Sequence, residues 1–253
     1  VIPIALTIAG SDPSGGAGLQ ADLKTFHQFG VYGQAIVTLI TVQNTLGVQQ
    51  VQLLDDALVI AQLEAVLSDI RPHAIKTGAL GSNTLIQALA RNAPTWNVPL
   101  VIDPVLFSKN GTRLSAAHPQ PLFPFAALLT PNLAEAAELT GLPVRTIPEM
   151  HDAARALADQ GARSVLIKGG HLEGSLSIDL LFHQGAFTQF PADRIETPHT
   201  HGTGCTYSAA ITALLACGLD LVTSTARAKT YITEAIRSNP GLGAGHGPVN
   251  HWA

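Results

Sequence analysis

Residues 2–9 form a nearly continuous apolar run rich in β-branched side chains, which breaks into Gly10-Ser11-Asp12-Pro13-Ser14-Gly15-Gly16-Ala17-Gly18. A strand with no polar face has to be covered on both sides. The helix predicted over 19–29 places Leu19, Leu23 and Phe26 on one face and can supply one of those covers. The same alternation continues down the chain. Strands are predicted in 30–42 and over 73–77, 100–103, 126–130 and 164–170, helices over 56–69, 82–91 and 150–160, and a hairpin over 176–182 and 187–190. Two helices, 203–216 and 219–237, close the pattern. The expectation is one α/β domain over residues 1–253, with a central, mainly parallel sheet between helical layers.

The 253 residues are 46% hydrophobic and only 13% charged, which suits a large core and argues against disorder. A formal net charge of −4 with no basic run argues against nucleic acid as a partner. No apolar stretch reaches membrane-spanning length. Cys205 and Cys217 stand twelve residues apart in one predicted helix, about 18 Å along its axis. They cannot pair, and a reduced, cytoplasmic protein is expected.

Chemistry concentrates at Thr200-His201-Gly202-Thr203-Gly204-Cys205, just ahead of a long apolar helix. Glycines flanking one hydroxyl residue expose backbone N–H groups to an anion at a helix N-terminus. A thiol in the first turn then lies in a field that favours its thiolate. Phosphoryl transfer is the reaction this turn fits, with Gly202, Thr203, Gly204 and Cys205 as its catalytic set. Cys217, deep in the helix, reads as packing.

Further candidates sit at strand ends, where open α/β sheets bind ligands. The glycine-rich turn at 10–18 is neither the dinucleotide fingerprint G-x-G-x-x-G nor a P-loop, since no G-K-[ST] closes it. It still allows close ligand approach. Gln43 offers a donor and an acceptor suited to the edge of a nitrogen heterocycle, though a solvated glutamine fits the pattern equally. Asn44 reads as a turn residue. Asp103 reads either as a metal or substrate group or as the cap of the next turn. Asn132 and Glu135 lie three apart, and locally they read as a helix cap with a first-turn acid. The segment 106–121 is expected to be a mobile or partly ordered loop, and the glycine-rich tail from Gly241 to wrap the rim of the ligand cleft.

Taken in order, 5–18 with Gln20-Ala21-Asp22-Leu23-Lys24-Thr25-Phe26, Val42-Gln43-Asn44-Thr45, Thr130-Pro131-Asn132-Leu133-Ala134-Glu135-Ala136, Lys168-Gly169-Gly170-His171 and His199 to Cys205 resemble the hydroxymethylpyrimidine/phosphomethylpyrimidine kinases of thiamine synthesis, within the ribokinase-like superfamily. The resemblance covers nearly the whole chain and implies a three-layer α/β/α sandwich. It implies ATP-dependent phosphorylation of 4-amino-5-hydroxymethyl-2-methylpyrimidine, then of its monophosphate, by a homodimer. Gly202 to Cys205 would form the anion hole, and Cys205, where most ribokinase-like enzymes carry aspartate, would take the substrate's hydroxyl proton. Gln43, Gly10, Ala17 and Val105 would line the pyrimidine pocket. Asp103 and Glu135, with Asn132, would organise Mg²⁺ around the phosphates of ATP. Lys168 would approach those phosphates, and Lys229 with the tail would border the nucleotide.

Two departures from the family pattern bear on the ring. Ala79 follows Lys76-Thr77-Gly78 where methionine is common, and the loop around Ser108-Lys109-Asn110-Gly111 holds no cysteine. Related pyridoxal kinases can carry a cysteine in that loop and differ around Gln43, so both features lean toward pyrimidine. The alternatives are a pyridoxal kinase or an enzyme that takes both rings. A metal-binding protein built on His199, His201 and Cys205 and a ribokinase-like protein without catalysis are the readings outside this class.

Overall fold

The structure, a computed structural model, describes residues 2–106 and 117–253. Most of the expected 106–121 loop, including Ser108 to Gly111, lies outside the described residues. The chain runs β1 (Ile4–Ser11), α1 (Gly18–Gln28), β2 (Tyr32–Asn44), β3 (Gly47–Leu53), α2 (Asp56–Asp69), β4 (Ala74–Thr77), α3 (Asn83–Asn92), β5 (Leu100–Ile102) and β6 (Leu128–Leu129). It continues as α4 (Leu133–Thr140), α5 (Ile147–Asp159), β7 (Ser164–Ile167), β8 (Leu176–His183), β9 (Ala186–Asp193), α6 (Thr203–Ala216) and α7 (Leu221–Arg237).

Among the described residues one sheet has the order β3-β2-β1-β4-β5-β6-β7-β8-β9. Strands β2 to β7 in that order are parallel, and antiparallel strands close both edges. After β1 the chain first builds β2 on one side and later β4 on the other. The carboxyl ends of β1 and β4 therefore flank a topological switch point, where such sheets open a crevice.

Helices cover both faces, as the apolar strands require. On one face, Leu6, Ile8, Ile36, Ile75 and Ile102 of the sheet pack with α2, α3 and α5, through Val59, Leu63, Leu85, Leu89, Met150 and Leu157. On the other, Val101, Leu128 and Leu166 meet α6 and α7, while Ala5 and Ala74 meet Phe26, Ala209 and Ala213. Alanines on both sides of that contact let α6 lie close to β1 and β4. Ten of its residues are buried, as expected of a helix with no polar face. Its amino end is thereby placed over the crevice.

The elements agree with the expected order, with one omission. β3 was not anticipated because Gly47-Val-Gln-Gln-Val-Gln-Leu53 carries three glutamines and lies on an edge, where no residue is fully buried. By pairing with it, β2 extends through Asn44. A register shift between Val42 and Gln43 marks a bulge, a device that re-aims side chains beside sites. Asn44 accepts the Leu46 N–H at 2.9 Å and is a turn residue, as read from the sequence.

The tail crosses from the β2–β3 turn to α6. His246 N–H donates to the Thr45 carbonyl at 2.9 Å, His201 N–H to Gly247 at 3.0 Å, and Val249 N–H to His201 at 3.3 Å. His251 ends buried, its Nε2 3.2 Å from Thr206 Oγ1, and the Tyr231 hydroxyl donates to its carbonyl at 3.0 Å. Burial, with Lys24 and His201 nearby, pushes the His251 imidazole down to about 4. An unfolded histidine titrates near ~6.5, so between the two values the unfolded chain binds the extra proton and stability falls as pH drops. The full window amounts to on the order of 3 kcal/mol. Urea titrations at pH 7 and pH 5 should show a smaller loss for His251→Asn than for the unsubstituted protein; equal losses would place the acid sensitivity elsewhere.

Candidate functional site

The opening turn of α6 has the geometry read from its glycines. Gly202 is the N-cap at φ 78°, in the left-handed region, and a Cβ there would collide with the Gly16 carbonyl. The first intrahelical bond runs from Thr206 N–H to the Gly202 carbonyl at 2.8 Å. The N–H groups of Gly204 and Cys205 thus belong to the first turn, where a helix supplies no acceptor. Thr203 turns both its hydroxyl, at 2.7 Å, and its N–H, at 3.3 Å, onto the Thr200 carbonyl, so the open donors of the turn are those of Gly204 and Cys205. A Cβ on Gly204 would stand 3.3 Å from Lys168 Nζ and 3.8 Å from Asp103 Oδ2. Glycine here leaves that ammonium and carboxylate open to whatever occupies the turn.

Asp103, just past β5, accepts from Lys168 Nζ at 2.8 Å and from Thr130 and Ser208 hydroxyls at 3.2 Å each. It is not a turn cap. Burial works against its charge, but Lys168 and Lys76 hold its carboxyl below the ordinary value. Lys168 is likewise raised, its burial outweighed by Asp103 and Glu135. Asn132 and Glu135 form a reciprocal capping box at α4, as the local pattern implied. Burial, with the Asp103 charge adding to it and Lys168 opposing, pushes Glu135 up to about 7.

Cys205 departs from the sequence reading. Burial pushes its thiol up to about 12, and the Asp103 and Asp22 carboxylates add to that; the Lys76 ammonium and the Gly18 N–H oppose them without winning. The helix field was expected to favour the thiolate, but burial and the two carboxylates favour the protonated thiol.

Lys76 lies on β4 among fully buried residues, and its ammonium meets both oxygens of Asp22 at 2.9 and 2.8 Å. Thr7 Oγ1 donates to the same carboxylate at 2.6 Å. Burial works to lower Lys76, yet Asp22, with Cys205 and Asp103 beyond it, raises it. Neither residue was among the sequence candidates. The signal was present: a lone lysine within the apolar stretch Ala74-Ile75-Lys76-Thr77 has to find a buried partner.

On the ring side, Gln43 Nε2 lies 3.2 Å from His201 Nε2, which is 2.8 Å from Asp12 Oδ2. Asp12 Oδ1 also accepts from Ser14 N–H at 2.9 Å and Ser14 Oγ at 2.7 Å, and Oδ2 from Gly16 N–H at 3.2 Å and Ala17 N–H at 2.9 Å. Gln43 and Ala17 are therefore linked through Asp12 and His201, two residues the sequence reading did not place in the pocket. Gly10 is enclosed by Leu39 and Ala79. Val105 lines a small cavity with Thr77, Gly78, Leu80, Asp103 and Pro119, across β4 from Gln43. Lys229 does not point free toward the crevice. Its ammonium binds Asp179 at 2.7 Å and Ser177 at 3.1 and 3.2 Å, and Asp179 accepts from Gly169 N–H at 2.8 Å.

Residues 12–250 match the family model described as phosphomethylpyrimidine kinase. The chain belongs to the phosphomethylpyrimidine kinase family. It is 44% identical to the hydroxymethylpyrimidine/phosphomethylpyrimidine kinase of Staphylococcus aureus (strain MRSA252), over 99% of this chain and 94% of that one. Among solved structures it resembles phosphomethylpyrimidine kinase from Clostridium difficile 630, at 40% identity and TM-score 0.81 over 93% of this chain and all of that one. It also resembles the pyridoxal kinase from Staphylococcus aureus in complex with pyridoxal, at 38% identity and TM-score 0.92, over all of this chain and 94% of that one. The fold is thus the α/β sandwich of these kinases.

The buried pair beneath the α6 turn generates a stability prediction. Lys76→Met leaves the Asp22 carboxylate without its cation and should cost about 3–5 kcal/mol in chemical denaturation. The double variant Asp22→Asn/Lys76→Met should recover much of that loss; additive losses would mean the two charges are not coupled.

Proposed function

We propose that this chain transfers the terminal phosphoryl group of ATP to 4-amino-5-hydroxymethyl-2-methylpyrimidine and then to its monophosphate, in thiamine synthesis. The observation that carries the proposal is the α6 turn: first-turn amides open onto the Lys168–Asp103 pair, one turn after the His201 that meets Gln43. Backbone N–H groups of Gly204 and Cys205 face the phosphoryl group as charge develops on it, fixed donors that need no reorganisation. Lys168 adds a cation beside the same space. Lys229 acts on the nucleotide side through Asp179, which holds Gly169 next to Lys168.

A magnesium ion fits this donor set. Mg²⁺ usually keeps several waters and takes one or two carboxylates plus substrate phosphates, not a closed protein cage. Among the described residues no three acidic, histidine or cysteine side chains converge on one point, while Asp103 and Glu135 supply two carboxylates around one lysine. Such an ion, held by Asp103 and Glu135, would supply positive charge against the phosphates and against Asp103, one of the two carboxylates that raise Cys205.

Cys205 is assigned as the proton acceptor for the substrate's hydroxymethyl group. Because burial first and the Asp103 and Asp22 carboxylates after it raise the thiol, this role requires the bound state to bring positive charge close enough to outweigh them. The two steps then make different demands. The first nucleophile is an alcohol that must lose a proton; the second is a phosphate oxygen already largely ionised near neutral pH.

Side-by-side turnover of the pyrimidine alcohol, its monophosphate and pyridoxal is the deciding assay. The pyrimidine should be the better ring, and Gln43→Ala should spare pyridoxal while impairing the pyrimidine. Cys205→Ala should slow the first phosphorylation about a hundredfold, in the range of general-base effects, and the second far less. Faster turnover of pyridoxal would overturn the pyrimidine reading, and equal losses in both steps would make Cys205 a positioning residue.

We further propose a homodimer. Ile40 and Val42 alternate on one face of β2 and are about half exposed, with Leu46, Leu53 and Leu58 exposed nearby in sequence. A ribbon edge this apolar is normally covered. Sedimentation should give a dimer that Val42→Lys converts to a monomer; a monomeric parent protein would exclude it.

A further inference from the structure

Two hydrogen-bonding groups converge on one ring nitrogen of His201. Asp12 Oδ2 lies 2.8 Å from Nε2, and Gln43 Nε2 lies 3.2 Å from the same atom. An ionised carboxylate only accepts, so Nε2 has to carry the proton and donate it. Burial works against the Asp12 charge, but His201 and Ser14 outweigh it and hold the carboxyl below its ordinary value. An N–H aimed into this corner then faces an NH₂ group, two donors against each other. Exchanging the two ends of the Gln43 amide removes the conflict, because its oxygen and nitrogen occupy nearly interchangeable positions.

The imidazole cannot escape by moving. A Cβ at Gly16 would stand 2.6 Å from His201 Cδ2 and 3.3 Å from Nε2, so the glycine backbone lies against the ring. His201 donates its N–H to Gly247 at 3.0 Å and accepts from Val249 N–H at 3.3 Å, which fixes its backbone to the tail. Asp12 is itself held by three backbone N–H groups and the Ser14 hydroxyl.

We propose that His201, held by Asp12, is a positioning residue that turns the Gln43 amide so that Oε1 faces His201 and the NH₂ faces away from it. The inference rests on the pyrimidine-kinase reading above and sharpens it. The single Nε2–H is then shared, its shorter arm to Asp12 Oδ2 at 2.8 Å and its longer one to the Gln43 amide oxygen at 3.2 Å, and Oε1 keeps a lone pair for a ligand donor. Gln43 therefore presents an acceptor and a donor side by side in a fixed order. That order selects a heterocycle edge pairing an exocyclic amine with an unprotonated ring nitrogen. A ring with a nitrogen but no adjacent amine satisfies only half of it.

The experiment combines spectroscopy with kinetics. In ligand-free protein labelled with ¹⁵N-histidine, His201 Nε2 should show a protonated, pyrrole-type resonance, assigned by its loss in His201→Gln; an unprotonated, pyridine-type Nε2 overturns the proposal. Gln43→Glu keeps an acceptor for His201 but removes the NH₂, and should raise KM for the pyrimidine alcohol about tenfold or more, the scale of one lost hydrogen bond. KM for ATP should stay within about twofold. His201→Phe should raise the same KM with little change in kcat, and His201→Gln, which restores a donor, should recover part of it. A fall in kcat and Tm together at unchanged KM would make His201 merely structural and overturn the proposal. If His201→Phe fails to fold, the resonance and Gln43→Glu still decide. Absence of pyrimidine turnover in the unsubstituted protein would defeat the functional reading itself, whereas turnover with KM indifferent to Gln43→Glu would defeat only this inference.

Discussion

Charge kept away from water has to be paired, and the first turn of α6 is organised by that rule. Lys76 with Asp22 and Lys168 with Asp103 bring two cations and two carboxylates to the crevice side of the sheet, the first pair fully buried and the second with only Lys168 partly exposed. Breaking either pair leaves an ion that the interior cannot solvate. The pairs therefore hold the first turns of α1 and the carboxyl ends of β4, β5 and β7 together where they meet α6. The site's geometry is a consequence of that packing, since the amides of the turn have no freedom to relax around an arriving anion.

Much of this was legible from residue patterns. Continuous apolar strands called for covering on both faces, and helices cover both. Glycines at Gly202 and Gly204 called for bare backbone, and one adopts φ 78° against the Gly16 carbonyl while the other opens onto Lys168. The cap formed by Asn132 and Glu135 is a local motif and needed no tertiary information. What stayed hidden was long-range pairing. Asp12 is 189 residues from His201 and Asp22 is 54 from Lys76, and no local spacing links such residues. Lys229 is the reverse case: a lysine looks available from sequence until Asp179, fifty positions away, takes its ammonium. The thiol was misjudged for a related reason. A helix terminus favours thiolate only where burial and neighbouring carboxylates do not outweigh it, and those neighbours come from α1 and β5.

The same pairing logic bears on how the proposed substrate corner would distinguish rings. The glycine-rich turn contributes backbone groups, Gly16 N–H to Asp12 among them, so side-chain polarity has to come from Asp12, His201 and Gln43. Asp12 spends its carboxylate on the glycine-rich turn and on His201, and His201 reaches Gln43. The tail then locks His201 from behind through Gly247 and Val249. Selectivity of this kind is set by the direction of hydrogen bonds, and direction survives only if every partner in the chain is immobilised. A solvated glutamine would rotate and read either edge.

Cysteine at position 205 fits this electrostatic setting better than the aspartate implied for most ribokinase-like enzymes. An aspartate would put a third carboxylate beside Asp103 and Asp22, with Lys76 and Lys168 already engaged. Like charges in a dry site raise one another's proton affinity until one of them neutralises. A thiol avoids that cost because its resting form is neutral, and it keeps a site where a proton can be taken up once the surrounding negative charge is countered. On this view the raised thiol suits a base that acts only once positive charge is brought to the turn. On that proposal the Lys76 ammonium, which already opposes the rise of the thiol, would steady a thiolate formed there.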